Sequence, residues 1–106
     1  MSAKLYFDLE DYKASIVALS NSLFKYPDTK YREEIMFMLV KSSYWLAYNS
    51  VRSKQKERYQ DTVDEYYSFA LEFSDSKYLK EAKRYYKNAA EIIGDEYNTE
   101  NDTIQN

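Results

Sequence analysis

The sequence has no cysteine and no histidine, only one glycine and one proline, and no long apolar run. Without Cys or His, disulfides, the usual zinc, haem and iron-sulfur ligand sets, thiol nucleophiles and every Ser-His or Cys-His arrangement are excluded. A single glycine cannot supply the several close backbone approaches of a phosphate-cradling loop or a dinucleotide fingerprint, so no nucleotide chemistry and no cofactor are expected. No segment approaches the roughly 20 apolar residues of a membrane span. No charged, apolar and small-residue series marks a secretory signal. With so few breakers, the chain must form long helices.

What is present in quantity is aromatic: 13 Tyr, 5 Phe and 1 Trp among 106 residues, the size of one domain. The formal charge of -3 is unevenly spread. Arg52, Lys54, Lys56 and Arg58 face only Glu57 within residues 51–60, whereas Asp95, Glu96, Glu100 and Asp102 have no basic neighbour after Gly94.

Ala3, Tyr6 and Phe7 fall at helical spacing, so residues 1–8 read as the end of a helix. Tyr12, Ile16, Leu19, Leu23 and Tyr26 then step by four and three along one buried face, and Pro27 stops that helix. Asp28 or Thr29 is placed to cap the next one, striped by Tyr31, Ile35, Met38, Ser42, Trp45 and Asn49. Its stretch Ile35 to Val40 is apolar on every side and must pack between two neighbours. Ser50 to Glu57 is polar and basic without periodic apolar residues, and reads as a loop near 50–58. Tyr59, Val63, Tyr66, Ala70 and Phe73 make the fourth stripe; after caps at Ser74 to Ser76, Tyr78, Ala82, Tyr85, Ala89 and Ile92 make the fifth. Gly94 suits a helix end, leaving 94–106 as a polar, disordered tail behind an all-α domain of about five helices over 1–93.

A shift of 47 residues lays Tyr12 on Tyr59, Tyr26 on Phe73, Asp28 on Asp75, Thr29 on Ser76, Lys30 on Lys77, Tyr31 on Tyr78 and Glu34 on Glu81. Such helix-turn-helix duplication matters because each pair exposes an apolar face that only its neighbour covers. Ala3-x-x-Tyr6, Ala82-x-x-Tyr85, Ser15-x-x-x-Leu19, Thr62-x-x-x-Tyr66 and Pro27 resemble the tetratricopeptide repeat, with an insertion of about 13 residues over its usual period. The runs Tyr26 to Glu34, Glu57 to Thr62 and Asp75 to Ala82 are similar to the C-terminal repeats of the BamD family of outer-membrane assembly lipoproteins. That resemblance implies antiparallel helix pairs in part of a right-handed superhelix. It also implies a place at the periplasmic face of the outer membrane, through a lipid anchor absent from this chain. The partners it implies are a BamA-like barrel-inserting subunit and accessory lipoproteins. The apolar side of a terminal helix in such an array, here Tyr6, Phe7 and Leu9, is expected to seek cover by self-association.

By the repeat pattern, the first helix of each pair lines a concave groove, which makes Phe7, Arg32, Met36, Leu39, Lys83 and Tyr86 the candidates there. Met38 reads as core filling. Arg52, Lys54, Lys56 and Arg58 offer salt-sensitive attraction to an acidic protein; nucleic acid would call for a larger basic excess. Glu33-Glu34 and Asp64-Glu65 invite an acid-base reading, but adjacent helical residues point about 100° apart and do not converge on one atom. The expected function is a non-catalytic protein-protein scaffold. The alternatives are a generic adaptor that captures a peptide in its groove and, in another class, a helical enzyme subunit working through carboxylates.

Overall fold

A computed structural model describes the backbone of residues 2–8 and 10–105 and the side chains of residues 3–8 and 10–94. Five helices follow one another: α1 (Ser2–Asp8), α2 (Tyr12–Lys25), α3 (Arg32–Tyr48), α4 (Arg52–Glu72) and α5 (Leu79–Gln105), with no strand among the described residues. Leu9 lies outside them. Asp11 starts α2 by accepting from the Ala14 amide at 3.1 Å, which satisfies one orphan donor of the first turn.

Two corners of the chain have the same construction. At the first, the Tyr26 amide donates to Ser22 O at 2.8 Å, Thr29 N to Tyr26 O at 3.1 Å, and Arg32 N to Thr29 O at 3.1 Å. At the second, 47 residues on, Phe73 N donates to Phe69 O at 2.8 Å, Ser76 N to Phe73 O at 3.1 Å, and Leu79 N to Ser76 O at 3.1 Å. The hydroxyls of Thr29 and Ser76 accept from the amides of Tyr31 and Tyr78 at 3.2 and 3.0 Å. The ammonium groups of Lys30 and Lys77 each stand 5.2 Å from the following Tyr ring. A short hydroxyl side chain can satisfy a backbone donor two residues ahead while the chain turns, so Thr and Ser are interchangeable here. Thr29 therefore acts within the turn; the residue flanking α3 is Tyr31, which makes no side-chain cap, and Asp28 is not the cap either.

Helix α3 is the centre. Met36, Phe37, Leu39, Val40, Ser42, Ser43, Tyr44 and Ala47 are all buried on it, which is more than one face of a helix. Ser42 Oγ lies 3.1 Å from Ser15 Oγ, so α2 and α3 cross on two small residues whose hydroxyls satisfy each other. Against α4, Phe37 sits 6.2 Å from Phe69 and Tyr44 sits 5.8 Å from Tyr59, an antiparallel register. Against α5, Phe37 stacks on Tyr78 at 4.6 Å and Tyr44 packs on Tyr85 at 4.9 Å, a parallel register. Ala47, Ala82 and Ala89 are fully buried, and their small side chains let the helices approach. The stripe expected on α3 is rotated: of its members only Ser42 is buried, while Phe37, Val40, Tyr44 and Ala47 carry the core. The stripes of α4 and α5 stand, with Tyr59, Val63, Tyr66, Ala82, Tyr85 and Ala89 all buried.

Two boundaries differ from expectation. The basic stretch read as a loop is helical from Arg52 onward, leaving only Asn49 to Val51 between α3 and α4. Its residues are good helix formers with no breaker among them. Gln55 Nε2 donates to Ala47 O at 3.1 Å, which ties that first turn to the end of α3. Helix α5 likewise runs through Gly94 to Gln105, where a disordered tail was expected. Gly94 has no positive φ, and a methyl group there would meet nothing within 4 Å. A mid-helix glycine costs about 1 kcal/mol relative to alanine, which does not stop a helix anchored by its first three turns.

Tyr85 joins packing to polarity. It is buried against Tyr44, and its hydroxyl donates to Glu81 Oε2 at 2.6 Å, an oxygen 3.7 Å from Lys41 Nζ. Burial first, and then this bond, pushes its phenol pKa upward. Tyr85→Ala is expected to lower unfolding stability by about 3–5 kcal/mol and Tyr85→Phe by about 1–2 kcal/mol. Urea titration checks this; near-native stability of Tyr85→Ala would show the ring to be dispensable.

Candidate protein-binding cleft

Between α1, α2 and α3 lies a cleft of ≈ 640 Å³. Its apolar wall is built from Phe7 of α1, Leu19 of α2, Tyr26 and Tyr31 of the corner, and Ile35 and Met38 of α3. Lys4, Asp8, Glu34 and Lys41 are the charged groups lining it. Lys41 is held in place twice, its ammonium 5.0 Å from the Phe7 ring and within ion-pair reach of Glu81. Phe7 meets Tyr12 edge to face at 5.2 Å, so α1 covers the start of α2 and leaves its C-terminal half open toward the cleft.

The residues expected to form a groove do not come together. Phe7 lines the cleft. Met36 and Leu39 are 6% and 4% exposed and belong to the interior, so they are corrected from groove to core. Met38, read as core, packs half-buried against the core cluster and also lines the cleft. The cause is the rotation of α3 about its axis relative to the expected stripe, which turns Met36 and Leu39 inward and leaves Met38 at the edge of the core. Arg32 belongs to the corner: its Nε and Nη2 donate to Glu72 at 2.5 and 3.1 Å, and its Nη1 donates to Pro27 O at 2.8 Å. Tyr86 is taken up by α4, stacked on Tyr66 at 4.5 Å with its hydroxyl 3.0 Å from that of Tyr67.

The four bases of the former loop occupy the first two turns of α4. Arg52 and Lys54 are exposed, Lys56 is half-buried, and Arg58 Nη1 donates to Ser50 Oγ at 2.6 Å. Lys83 stands exposed on α5 in a row with Lys80, Arg84 and Lys87, spaced so that all share one helix face. Sequence reasoning missed the row because Glu81-Ala82 and Tyr85-Tyr86 interrupt it along the chain. It also passed over Phe24 and Leu71, which are 90% and 89% exposed and stand 47 residues apart. The shift that aligned the corners would have paired them.

A second, shallower recess brings Lys13, Ile16 and Val17 of α2 near Ser43 and Leu46 of α3 and Arg58, Asp61, Asp64 and Glu65 of α4. Burial, and then the charges of Asp61 and Asp64, raise the pKa of Glu65; burial, then Asp64 and Glu57, raise that of Asp61. Among the described residues no set of acidic groups is arranged to hold a metal ion, and no helix is long and apolar enough to cross a membrane. No family model matches the chain, and no curated protein matches it.

The raised Glu65 has a signed consequence. A carboxylate whose folded pKa exceeds its unfolded value destabilises the fold while ionised, fully so above the folded pKa. The cost disappears as pH falls below the unfolded value of about 4.3. Glu65→Gln is therefore expected to be more stable than the native chain at pH 7, with the difference closing below about pH 4. Paired urea midpoints across that range test the sign; an advantage that grows on acidification would contradict it.

Proposed function

We propose that this chain is a non-catalytic protein-protein interaction scaffold made of tetratricopeptide-like antiparallel helix pairs, part of a right-handed superhelix. The observation that carries the reading is the duplicated corner, which repeats bond for bond at Tyr26 to Arg32 and Phe73 to Leu79. Stacked helix pairs related by one repeated corner generate extended surfaces, and such surfaces serve in protein recognition. The open cleft, the exposed basic face of α5 and the bare Phe24 and Leu71 are the surfaces on offer.

The order of the three similar runs supports a narrower proposal, that the chain corresponds to the C-terminal repeats of BamD. In that role it would dock onto the barrel-inserting subunit and accessory lipoproteins at the periplasmic face of the outer membrane. The generic adaptor, which takes free peptides, is the second reading, and the wall of Phe7, Ile35 and Met38 is the observation that favours it.

Capture on a surface carrying the chain separates the two. The soluble periplasmic part of a BamA-like subunit is retained under the first reading. Retention of free peptides or chaperones alone would select the second, and retention of no protein would sink both. Arg52→Glu with Lys54→Glu sharpens the measurement. The pair removes like charge from the positive end of α4, so stability is expected to rise by about 0.3–1 kcal/mol per site. Association with the acidic partner is expected to slow by about three- to tenfold at low salt, the difference vanishing at high salt. Unchanged association at low salt would exclude this end of α4 from the interface.

A further inference from the structure

The duplication that repeats the corners breaks off at one face of α5. Moved forward by 47 residues, Met36, Phe37 and Val40 fall on Lys83, Arg84 and Lys87, and Glu33 falls on Lys80. On α3 the three apolar residues are 6%, 4% and 0% exposed and belong to the core cluster. On α5 their three basic equivalents and Lys80 are all exposed. Tyr44, which meets Tyr59 of α4, falls on the exposed Glu91. The inner face of α5 keeps its packing, with Ala82, Tyr85 and Ala89 buried. The face that on α3 receives α4 is therefore charged on α5. A helix packed there as α4 packs on α3 would bury bases without partners, so this face does not take another apolar helix of the repeat.

The row also departs from an ordinary solvated face. Bases three and four residues apart on a helix repel one another, and a polar cap has no need of a single sign. Between Leu79 and Gly94 the acidic residues are Glu81 and Glu91. Glu81 is turned to the Tyr85 hydroxyl and to Lys41. The row enters neither that ion pair nor the one between Arg32 and Glu72. Helix α5 continues unbroken to Gln105, so its own later turns do not fold back over the row. On the side toward α4, Tyr86 stacks on Tyr66, and its hydroxyl lies 3.0 Å from that of the exposed Tyr67.

We infer that this face of α5 docks an acidic segment of a partner protein, whose carboxylates meet Lys80, Lys83, Arg84 and Lys87. From Lys80 to Lys87 the row runs about 10 Å along the helix axis, the reach of a short segment. Nucleic acid and anionic membranes bring many more phosphates than four bases neutralise, and the chain's net charge of -3 opposes their approach. A short acidic segment satisfies the row without that cost. The inference rests on the scaffold reading and names the surface and the chemistry of the partner it accepts.

The probe is a fluorescein-labelled peptide about four helical turns long, built of Ala and Gln with four Glu spaced three and four residues apart. Fluorescence anisotropy with the full chain is expected to show saturable binding at low salt that fades at high salt. Lys83→Glu with Lys87→Glu is expected to weaken it by about tenfold or more. Lys80→Gln with Arg84→Gln, an independent block, is expected to weaken it by about threefold or more. All four side chains are exposed, so the thermal melt by circular dichroism is expected to stay unchanged. Lys13→Glu with Lys25→Glu makes the same change of charge on α2 and is expected to leave binding within about twofold. Absence of binding, or equal weakening by the α2 and α5 reversals, would overturn the inference. Tighter binding to phosphatidylglycerol vesicles or to a single-stranded oligodeoxynucleotide than to the peptide would assign the row to phosphate and overturn it too. If the chain holds the barrel-inserting subunit but not the peptide, this inference falls and the scaffold reading stands.

Discussion

Helix α3 buries apolar residues on more than one face, and the rest of the architecture follows from that constraint. Residues Ile35 to Val40 are apolar in every direction, so the helix is stable only with cover on opposite sides. One side receives α2, through the Ser15 and Ser42 hydroxyl pair; the other receives α4 and α5, through Phe37 and Tyr44. Rings supply the buried area, and alanines and serines at 15, 42, 47, 82 and 89 set how closely the backbones approach. Aromatic pairs in offset or edge-on contact add about 0.5–1.5 kcal/mol each beyond their burial, and α3 makes such contacts with both α4 and α5.

The corners translate this packing into a repeating form. A hydroxyl at 29 or 76 satisfies the amide two residues ahead, the chain reverses, and the following helix starts in the same relation to the one before. Because α3 and α5 leave equivalent corners, they run parallel, while each lies antiparallel to its sequence neighbour α4. The same relation makes the first unit comparable with the second, position by position.

The helices and the duplication were legible in the sequence; the azimuth of α3 was not. Spacing of apolar residues locates a face only when one face is apolar, and α4 and α5 meet that condition with Tyr59, Val63, Tyr66 and with Ala82, Tyr85, Ala89. On α3 the apolar residues surround the axis, so the pattern has no preferred direction, and Met36 and Leu39 proved to be core. The start of α4 was hidden for a different reason. Arg52 to Lys56 needs no buried residue to be helical, since propensity and a glutamine reaching back to Ala47 suffice, and neither leaves a periodic signal. Gly94 read as a terminus because glycine is common there, yet nothing in this helix demands a left-handed residue. As for the candidate cleft, Phe7 was singled out by its position in the repeat pattern, and the structure places it in the lining. The cleft itself was not legible, because it is formed by residues of α1, α2 and α3 that meet only in the folded chain.

If the molecule is built by repeating one corner, the ring pair of Phe37 and Tyr78 must hold α3 to the corner from which α5 starts. A double-mutant cycle on Phe37 and Tyr78, each replaced by leucine and followed by urea unfolding, measures that link directly. Stacked at 4.6 Å and 11°, the two rings are predicted to couple by about 0.5–1.5 kcal/mol. Strictly additive losses would mean that these rings do not join the two helices, and would contradict the account.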